Sequence, residues 1–550
     1  MPLSPSDLLK KISKKAILSI LFLFLGFFAL GVYGWVRSFH EAGVDSPYQE
    51  SFMRTLQMIT NRRPVIVSEI FPDHWATMVS WIGLKAMIAC GMLVAAIFFL
   101  RNKLAVFNFR KTTGHTIIIG INEESKRLIT YFIKEGHKVA VIEENTDHPD
   151  IQSIEDQGVL VIPGNPEDEN VFKNAQLKNA GKVIVAISDE SKSIIVAEGI
   201  SKHVSENSDS SNEIEVLVRV KSDKLMTVLE EKWRVLKSKA SGCKFRLINF
   251  QSTAIREIIS EIAMDLCQKD KIREEGPSFL IVADSALSDQ FLRQAIIFIQ
   301  ISEENVPSFT VQTDSADNNK YFQDRYPDIG LVADVNFINC TKDRILHSDT
   351  IANQNFDALI VCLENELETI GLVHELLNSN SIDIDEGYAV LRESPKIDMD
   401  PIEKLKIIAL AEHGTKSPEF GDFDMEKEAE DLHNAYLAEK FKNEEIPKQD
   451  TWDQLSYSGQ EGNRLAVLHH RVKRKIWEVT KEENKDRMIS LLACSEHQRW
   501  KAEKILSGWK GGSDRDNKRK INEYICPYSE VPDDIKEYDV KVVKNALGLN

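Results

Sequence analysis

The 550-residue chain carries 68 Lys and Arg against 85 Asp and Glu, a formal net charge of -17, and is 43% hydrophobic. That length asks for several folding units instead of one core, and the acidic balance excludes a nucleic acid polymer as general partner, because neutralising phosphates takes a basic surface. The seven cysteines contain no CxxC pair, which argues against a disulfide framework and a zinc site and fits a reducing compartment.

The stretch Ala16–Trp35, AILSILFLFLGFFALGVYGW, holds no charge, and Met78–Leu100, MVSWIGLKAMIACGMLVAAIFFL, holds only Lys85. Each reaches the roughly 20 residues needed to cross a bilayer. The first run lacks a small-x-small cleavage site and a second follows closely, so both read as membrane spans (about 16–35 and 78–100) and not as a signal peptide. Lys10, Lys11, Lys14 and Lys15 before the first span, and Arg101, Lys103, Arg110 and Lys111 after the second, place both chain ends in the cytoplasm of a cell (inner) membrane protein.

Between the spans, Ser46, Pro47 and Gln49 read as the start of a short helix, about 47–60, whose Phe52, Leu56 and Ile59 share one face. Span, short helix, span resembles the pore module of potassium channels, with MRTLQMIT in the place of the pore helix. The filter segment of that family is replaced by NRRPVIVSE, so Arg62 and Arg63 would stand as a barrier to cations and potassium selectivity does not carry over. An interfacial helix beside no pore is the other reading. Lys85, seven residues into the second span, either snorkels outward past Trp81 or faces a pore as a cation, with Glu69 or Asp73 as partner. Two helices per chain cannot enclose a conduit, so a pore requires a homo-oligomer.

From His115 short apolar strands alternate with amphipathic helices: HTIIIG, KVAVIE, VLVIPG, KVIVAIS, EVLVRV and FRLINF. That alternation means a parallel sheet covered on both faces. Gly120 closes the first strand, and Glu143 ends the second where a dinucleotide fold keeps an acid for the ribose; Asn122 and Ser125 stand where the fingerprint has its other glycines. The run PGNPEDENVFKNAQLKNAGKVIVAISDE, within Gly114 to Phe250, resembles the TrkA-N or RCK domains that regulate potassium channels and transporters. The resemblance implies a nucleotide or dinucleotide site at Gly120, Asn122, Glu143, Asn165 and Ser188; a purely structural Rossmann unit is the alternative. The polar stretch Ser201–Glu213 reads as a surface loop.

SFLIVADSALSDQFLRQAIIFIQ repeats the strand, turn, helix order, followed by SFTVQTD, VNFINC, ALIVCLEN and YAVLRES. It resembles a second, degenerate RCK-like unit; its turn has no glycine, so a scaffold or ring-forming role is expected. The resemblance implies a cytoplasmic ring, of eight units in a tetramer. Beyond SPEFGDF the pattern is helical. NRLAVLHH, SEHQRWKAEKILSGWKGG and CPYSEVPDDIKEYD resemble the RyR domain, over about Glu428 to Asn550. Asn463, Arg464, Glu496, His497, Arg499, Trp500, Trp509 and Tyr528 could form a pocket in which aromatic rings stack a base and an arginine grips phosphate; the same residues could equally be the core of a helical domain with Arg499 and Glu496 paired. His433, His469, His470 and His497 lack partners at ligand spacing, so no metal site is expected.

The expected architecture is a multi-domain chain: a transmembrane hairpin with a pore-type helix (1–110), two α/β Rossmann-like RCK units (111–272 and 273–424) and a mainly α-helical RyR domain (425–550). No nucleophile, Walker A or metalloprotease signature appears, so no catalytic residue and no enzyme activity are expected. The leading reading is a homo-oligomeric ion channel, a tetramer by resemblance, gated by a small nucleotide-like ligand and passing inorganic ions through the lipid bilayer. Resemblance to bacterial RyR and TrkA-N fusions implies a setting in nucleotide signalling and antiphage defence. A non-conducting anchored regulator of a transporter is the alternative.

Overall fold

The computed structural model describes residues 14–43, 47–59, 74–109, 111–206, 213–221, 242–267, 276–314, 318–348, 350–352, 354–393, 402–416, 425–441, 445–480 and 484–549. The chain divides into two compact units, one built mainly from the first 112 residues and one from most of the remainder.

In the first unit, helices α1 (Lys14–Glu41) and α3 (Trp75–Phe109) flank the short α2 (Pro47–Ile59). Two helices are long and apolar enough to cross a membrane, over Phe22–Glu41 and Trp75–Met92. Small residues let them close on each other: a Cβ on Gly31 would lie 2.4 Å from Ser80 Oγ and 2.8 Å from Thr55 Cγ2, and one on Gly34 would lie 2.7 Å from the Thr77 backbone nitrogen. Ser46, Arg62, Arg63, Glu69 and Asp73 lie outside the described residues.

Beyond residue 112 the chain builds a six-stranded parallel sheet. Its elements are β1 (His115–Ile119), α4 (Glu123–Lys134), β2 (Val139–Glu143), α5 (Ile151–Glu155), β3 (Leu160–Pro163), α6 (Glu169–Asn174), β4 (Ala180–Val185), α7 (Glu190–Glu206), β5 (Ile214–Arg219) and β6 (Cys243–Ile248). Strands β1 and β2 are buried at every position, the mark of a sheet covered on both faces. The order β3-β2-β1-β4-β5-β6 reverses direction between β1 and β4, where Ile117 lies opposite Val183, and a ligand crevice is expected at such a switch point. The expected loop at Ser201–Glu213 is shorter than read: Ser201 to Glu206 complete α7, and Ser201, His203 and Val204 are buried, because three inward-facing positions extend the apolar face that polarity alone hid.

After α8 (Phe250–Leu266) the pattern repeats through β7 (Ser278–Ala283), α9 (Ser285–Phe298), β8 (Ser308–Thr313), α10 (Asn318–Arg325), β9 (Asp334–Asn339), β10 (Asn355–Cys362), α11 (Glu366–Leu377), β11 (Asp383–Leu391), β12 (Leu405–Ala409) and α12 (Leu410–Lys416). The order β12-β11-β10-β7-β8-β9 is that of the first sheet strand for strand, so the duplication read from the sequence is present in the topology. Helix α12 returns onto α8: a Cβ on Gly414 would meet the Phe250 carbonyl at 2.9 Å, and His413 Nε2 lies 3.1 Å from Glu261.

The C-terminal region is helical: α13 (Met425–Lys440), α14 (Tyr457–Val479), α15 (Lys485–Leu506) and α16 (Asp533–Leu547). Among the described residues it has a small cluster of its own at Met488, Leu492, Ala493 and Val543, and shares its larger core. Ile255 and Ile259 of α8 and Phe291 and Ile296 of α9 share one apolar cluster with Leu465 and Val472 of α14 and Ile505 of α15. Polar ties reinforce it: Arg256 to Glu461 at 2.9 Å, Arg471 to Glu257 at 2.6 Å, and Ser495 Oγ donating to the Gln300 carbonyl at 2.5 Å.

Candidate functional site

The crevice at the carboxyl ends of β1, β2 and β4 is lined by Ile119, Gly120, Ile121, Ile142, Glu143, Glu144, Pro166, Ala186, Ile187, Ser188 and Lys192, around a cavity of about 150 Å³. Gly120 turns the chain with φ +94°, and a Cβ there would press on Ile187 backbone atoms at 3.3 Å, so glycine is required on both counts. Glu143 ends β2 and grips the turn: its Oε2 accepts from the Ile121 N–H at 2.7 Å and its Oε1 from the Asn145 N–H at 2.8 Å.

The two residues standing where glycines were expected have a joint role. Asn122 caps α4, its Oδ1 accepting from the Ser125 N–H at 2.9 Å, while Ser125 Oγ accepts from the Asn122 N–H at 2.7 Å. Such a reciprocal cap satisfies first-turn donors that would otherwise be free for an anion. Asn122 Nδ2 also donates to the Ala186 carbonyl at 2.5 Å, tying the ends of β1 and β4. Thus the structure brings Gly120, Glu143 and Ser188 to one cavity and places Asn122 beside it as a cap. Asn165 sits in the neighbouring turn, its Oδ1 accepting from the Glu167 N–H at 3.0 Å. Lys192, paired with Glu144, also lines the cavity and was not singled out from the sequence, although its place one turn beyond Ser188 on α7 was a usable signal.

At the corresponding crevice of the second sheet, Asp284 follows β7. Its Oδ1 lies 2.8 Å from Lys342 Nζ and its Oδ2 2.9 Å from Arg392. Burial works to raise this carboxyl, but Lys342 and Arg392 hold it below its ordinary range. A fixed carboxylate therefore occupies the cations that could otherwise meet a phosphate. Nothing in the sequence marks these three residues as neighbours, since Lys342 lies 58 positions beyond Asp284 and Arg392 lies 108 beyond it. Glu393, beside Arg392, pairs with Arg127 of α4.

In the helical region Arg464 is buried and grips Glu426 with two bonds of 2.8 Å, lying over the rings of Trp452 and Tyr457. Asn463 donates to the Gly459 carbonyl at 3.0 Å on its own helix. Arg499 pairs with Glu496 at 3.0 Å and Glu503 at 3.2 Å, and Lys473 reaches Glu496 at 2.6 Å, all of them fully buried. Burial opposes ionisation of Glu496, yet Arg499 and Lys473 together keep its carboxyl below the usual range. Burial, with Lys473 close by, drives His469 and His470 well below the usual histidine range. Above this network His497 stacks on Trp500 at 5.3 Å and on Tyr528 at 5.2 Å, and its Nδ1 lies 3.3 Å from Asp539. Trp509 packs at the edge of the shared core. Glu496 and Arg499 are thus brought together, as are His497, Trp500 and Tyr528, and the guanidinium groups of Arg464 and Arg499 already hold carboxylates.

In the first unit Lys85 Nζ lies over the Trp81 ring at 5.3 Å, one turn toward the start of α3. Arg54, not selected from the sequence, is folded inward on α2, 3.0 Å from Glu50 and over the Trp35 ring.

Comparison with known proteins finds the TrkA-N domain over residues 116–235 and the RyR domain over residues 476–549. An uncharacterized protein of Methanothermus fervidus is 21% identical over 194 residues, a match covering 33% of this chain and 29% of that relative's length. Among solved structures the chain is similar to GsuK bound to ADP, at 15% identity over 73% of this chain and 96% of that one with a TM-score of 0.34. It is similar also to the GsuK channel bound to NAD, at 14% identity over 73% and 82% with a TM-score of 0.33. The chain thus matches the TrkA-N domain across most of the crevice-bearing sheet and the RyR domain across the helix that carries Arg499.

Proposed function

We propose that this protein is a ligand-regulated, homo-oligomeric ion channel of the cell membrane, with α1 and α3 as its spans, both chain ends cytoplasmic, and the Rossmann and RyR portions as its sensor. The carrying observation is that α2 is inside out. Ser51, Thr55 and Met58 are buried, whereas Phe52 and Leu56 stay 48% and 38% exposed. A helix lying on a membrane surface turns its hydroxyls to water. One with apolar residues outward and small hydroxyls inward suits an apolar medium, where polar groups must be satisfied within the protein.

Two spans do not close a conduit, so several copies must, and a tetramer is the assembly we propose. The four domains, 1–110, 111–272, 273–424 and 425–550, belong to the same proposal. A nucleotide-like ligand that binds the sensor with different affinity in two states biases the pore by that difference. An antiphage role rests on resemblance alone. The test is ion flux from liposomes carrying the purified chain, with a panel of nucleosides, nucleotides and cyclic oligonucleotides. Flux that appears with one ligand supports the channel; a folded, inserted protein that stays silent across the panel refutes it in favour of an anchored regulator.

A further inference from the structure

A Rossmann crevice holds the phosphate of its ligand on the N–H groups of the first turn and on the helix that follows. Here three of those donors are already engaged. The Ile121 N–H goes to Glu143, the Asn122 N–H to Ser125, and the Ser125 N–H to Asn122. Glu123 and Glu124 place two more carboxylates in the first turn of α4, which complements the helix dipole and repels an anion. The Asn122 amide, bound to the Ala186 carbonyl, lies between the ends of β1 and β4.

What stays open is the cavity itself. Its walls are Ile119, Ile121, Ile142, Ile187 and Pro166, and its polar groups are Glu143, Ser188, Glu144 and Lys192, the last two paired with each other so that the cation is already neutralised. A volume of about 150 Å³ with apolar walls accepts one flat ring system. Each oxygen of Glu143 holds one backbone N–H in the described bonds and has a second lone pair for a hydroxyl.

We propose that this crevice binds an unphosphorylated nucleoside, the base against the isoleucine and proline walls and the ribose hydroxyls on Glu143, and that it is closed to 5′-phosphates. The inference rests on the sensor reading above and names the class of its ligand. Titration calorimetry of the full chain in detergent tests it, with adenosine, guanosine, cytidine and uridine set against their 5′-diphosphates and NAD. At least one nucleoside binds, at least about tenfold more tightly than its diphosphate. Ser188→Trp, an exposed position at the mouth, abolishes that binding, and Asn122→Gly with Ser125→Ala, which frees two N–H donors, gains the diphosphate. Equal or tighter binding of a diphosphate or NAD by the unaltered chain overturns the proposal, as does binding of no nucleoside, or binding that Ser188→Trp leaves intact. The unaltered chain and Ser188→Trp decide the matter even where the double variant fails to fold. A channel that opens although the crevice binds no nucleoside sinks this inference and leaves the channel standing; nucleoside binding by a chain that passes no ions does the reverse.

Discussion

Replacing Glu496 by Gln removes a carboxylate bonded to both Lys473 and Arg499. Arg499 keeps Glu503 at 3.2 Å, but Lys473 then keeps as bonding partner His469 at 3.0 Å, with the Asp539 carboxylate acting from farther off. Breaking a buried pair from one side costs about 3–5 kcal/mol, and the surviving Arg499–Glu503 contact places the cost near the lower end. For a folding unit of this size, at about 2 cal/mol/K per residue, that is a fall in Tm of roughly 3–5 °C. The deficit depends on pH. Burial already lowers the Lys473 pKa while Glu496 opposes that effect, so its loss lowers the pKa further. The folded variant then binds fewer protons than its unfolded chain, and its stability rises with pH toward the ordinary lysine range. Thermal unfolding of the full chain in detergent, followed by tryptophan fluorescence at pH 7 and pH 9, measures both effects. A Tm within about 2 °C of the unaltered protein, or a deficit equal at both pH values, refutes the reasoning.

Asp539 is expected to respond in the opposite sense. Burial raises its pKa against the pull of His497, so its contribution is fully present below the unfolded carboxyl value and lost as pH rises through the raised one. Asp539→Asn should therefore increase Tm at pH 7 and converge with the unaltered protein in acid; a lower Tm at pH 7 would show that the His497 contact outweighs burial. Gly31→Val drives a Cβ into Ser80 Oγ and Thr55, and overpacking of this kind costs about 1–3 kcal/mol. Detergent-titrated unfolding of the variant should begin at lower denaturant, and an unchanged midpoint would mean that α1 and α3 do not pack at Gly31.

Much of the fold was legible because it rests on short-range pattern. Short runs dominated by isoleucine and valine, such as HTIII and VAVIE, suit a covered sheet, and ADSALS following SFLIV repeats the order of the first unit. The amphipathic period of α2 was also visible, but which face turns inward depends on Gly31 and Ser80, residues on other helices. At the crevice, loss of two glycines was plain at Asn122 and Ser125, whereas their mutual cap is a matter of side-chain geometry. Glu496, Arg499 and Glu503 fall three and four residues apart on α15, so that cluster could have been inferred as a chain of pairs. The partner of Arg464, Glu426, lies 38 residues away on another helix, and no local spacing announces it. Asp284, Lys342 and Arg392 meet only through the sheet order, which explains why the second crevice read as merely lacking glycine.

The core shared by α8, α9, α14 and α15 bears on how such a chain could be assembled by recombination. A graft cut at the start of α13 would leave Ile255, Ile259 and Phe291 facing water in the donor and strip Leu465, Val472 and Ile505 of their covering in the recipient. Exchange of the C-terminal segment between lineages must carry the second sheet's outer helices with it. The heritable piece is therefore larger than the RyR domain, and its boundary lies nearer Phe250 than Met425.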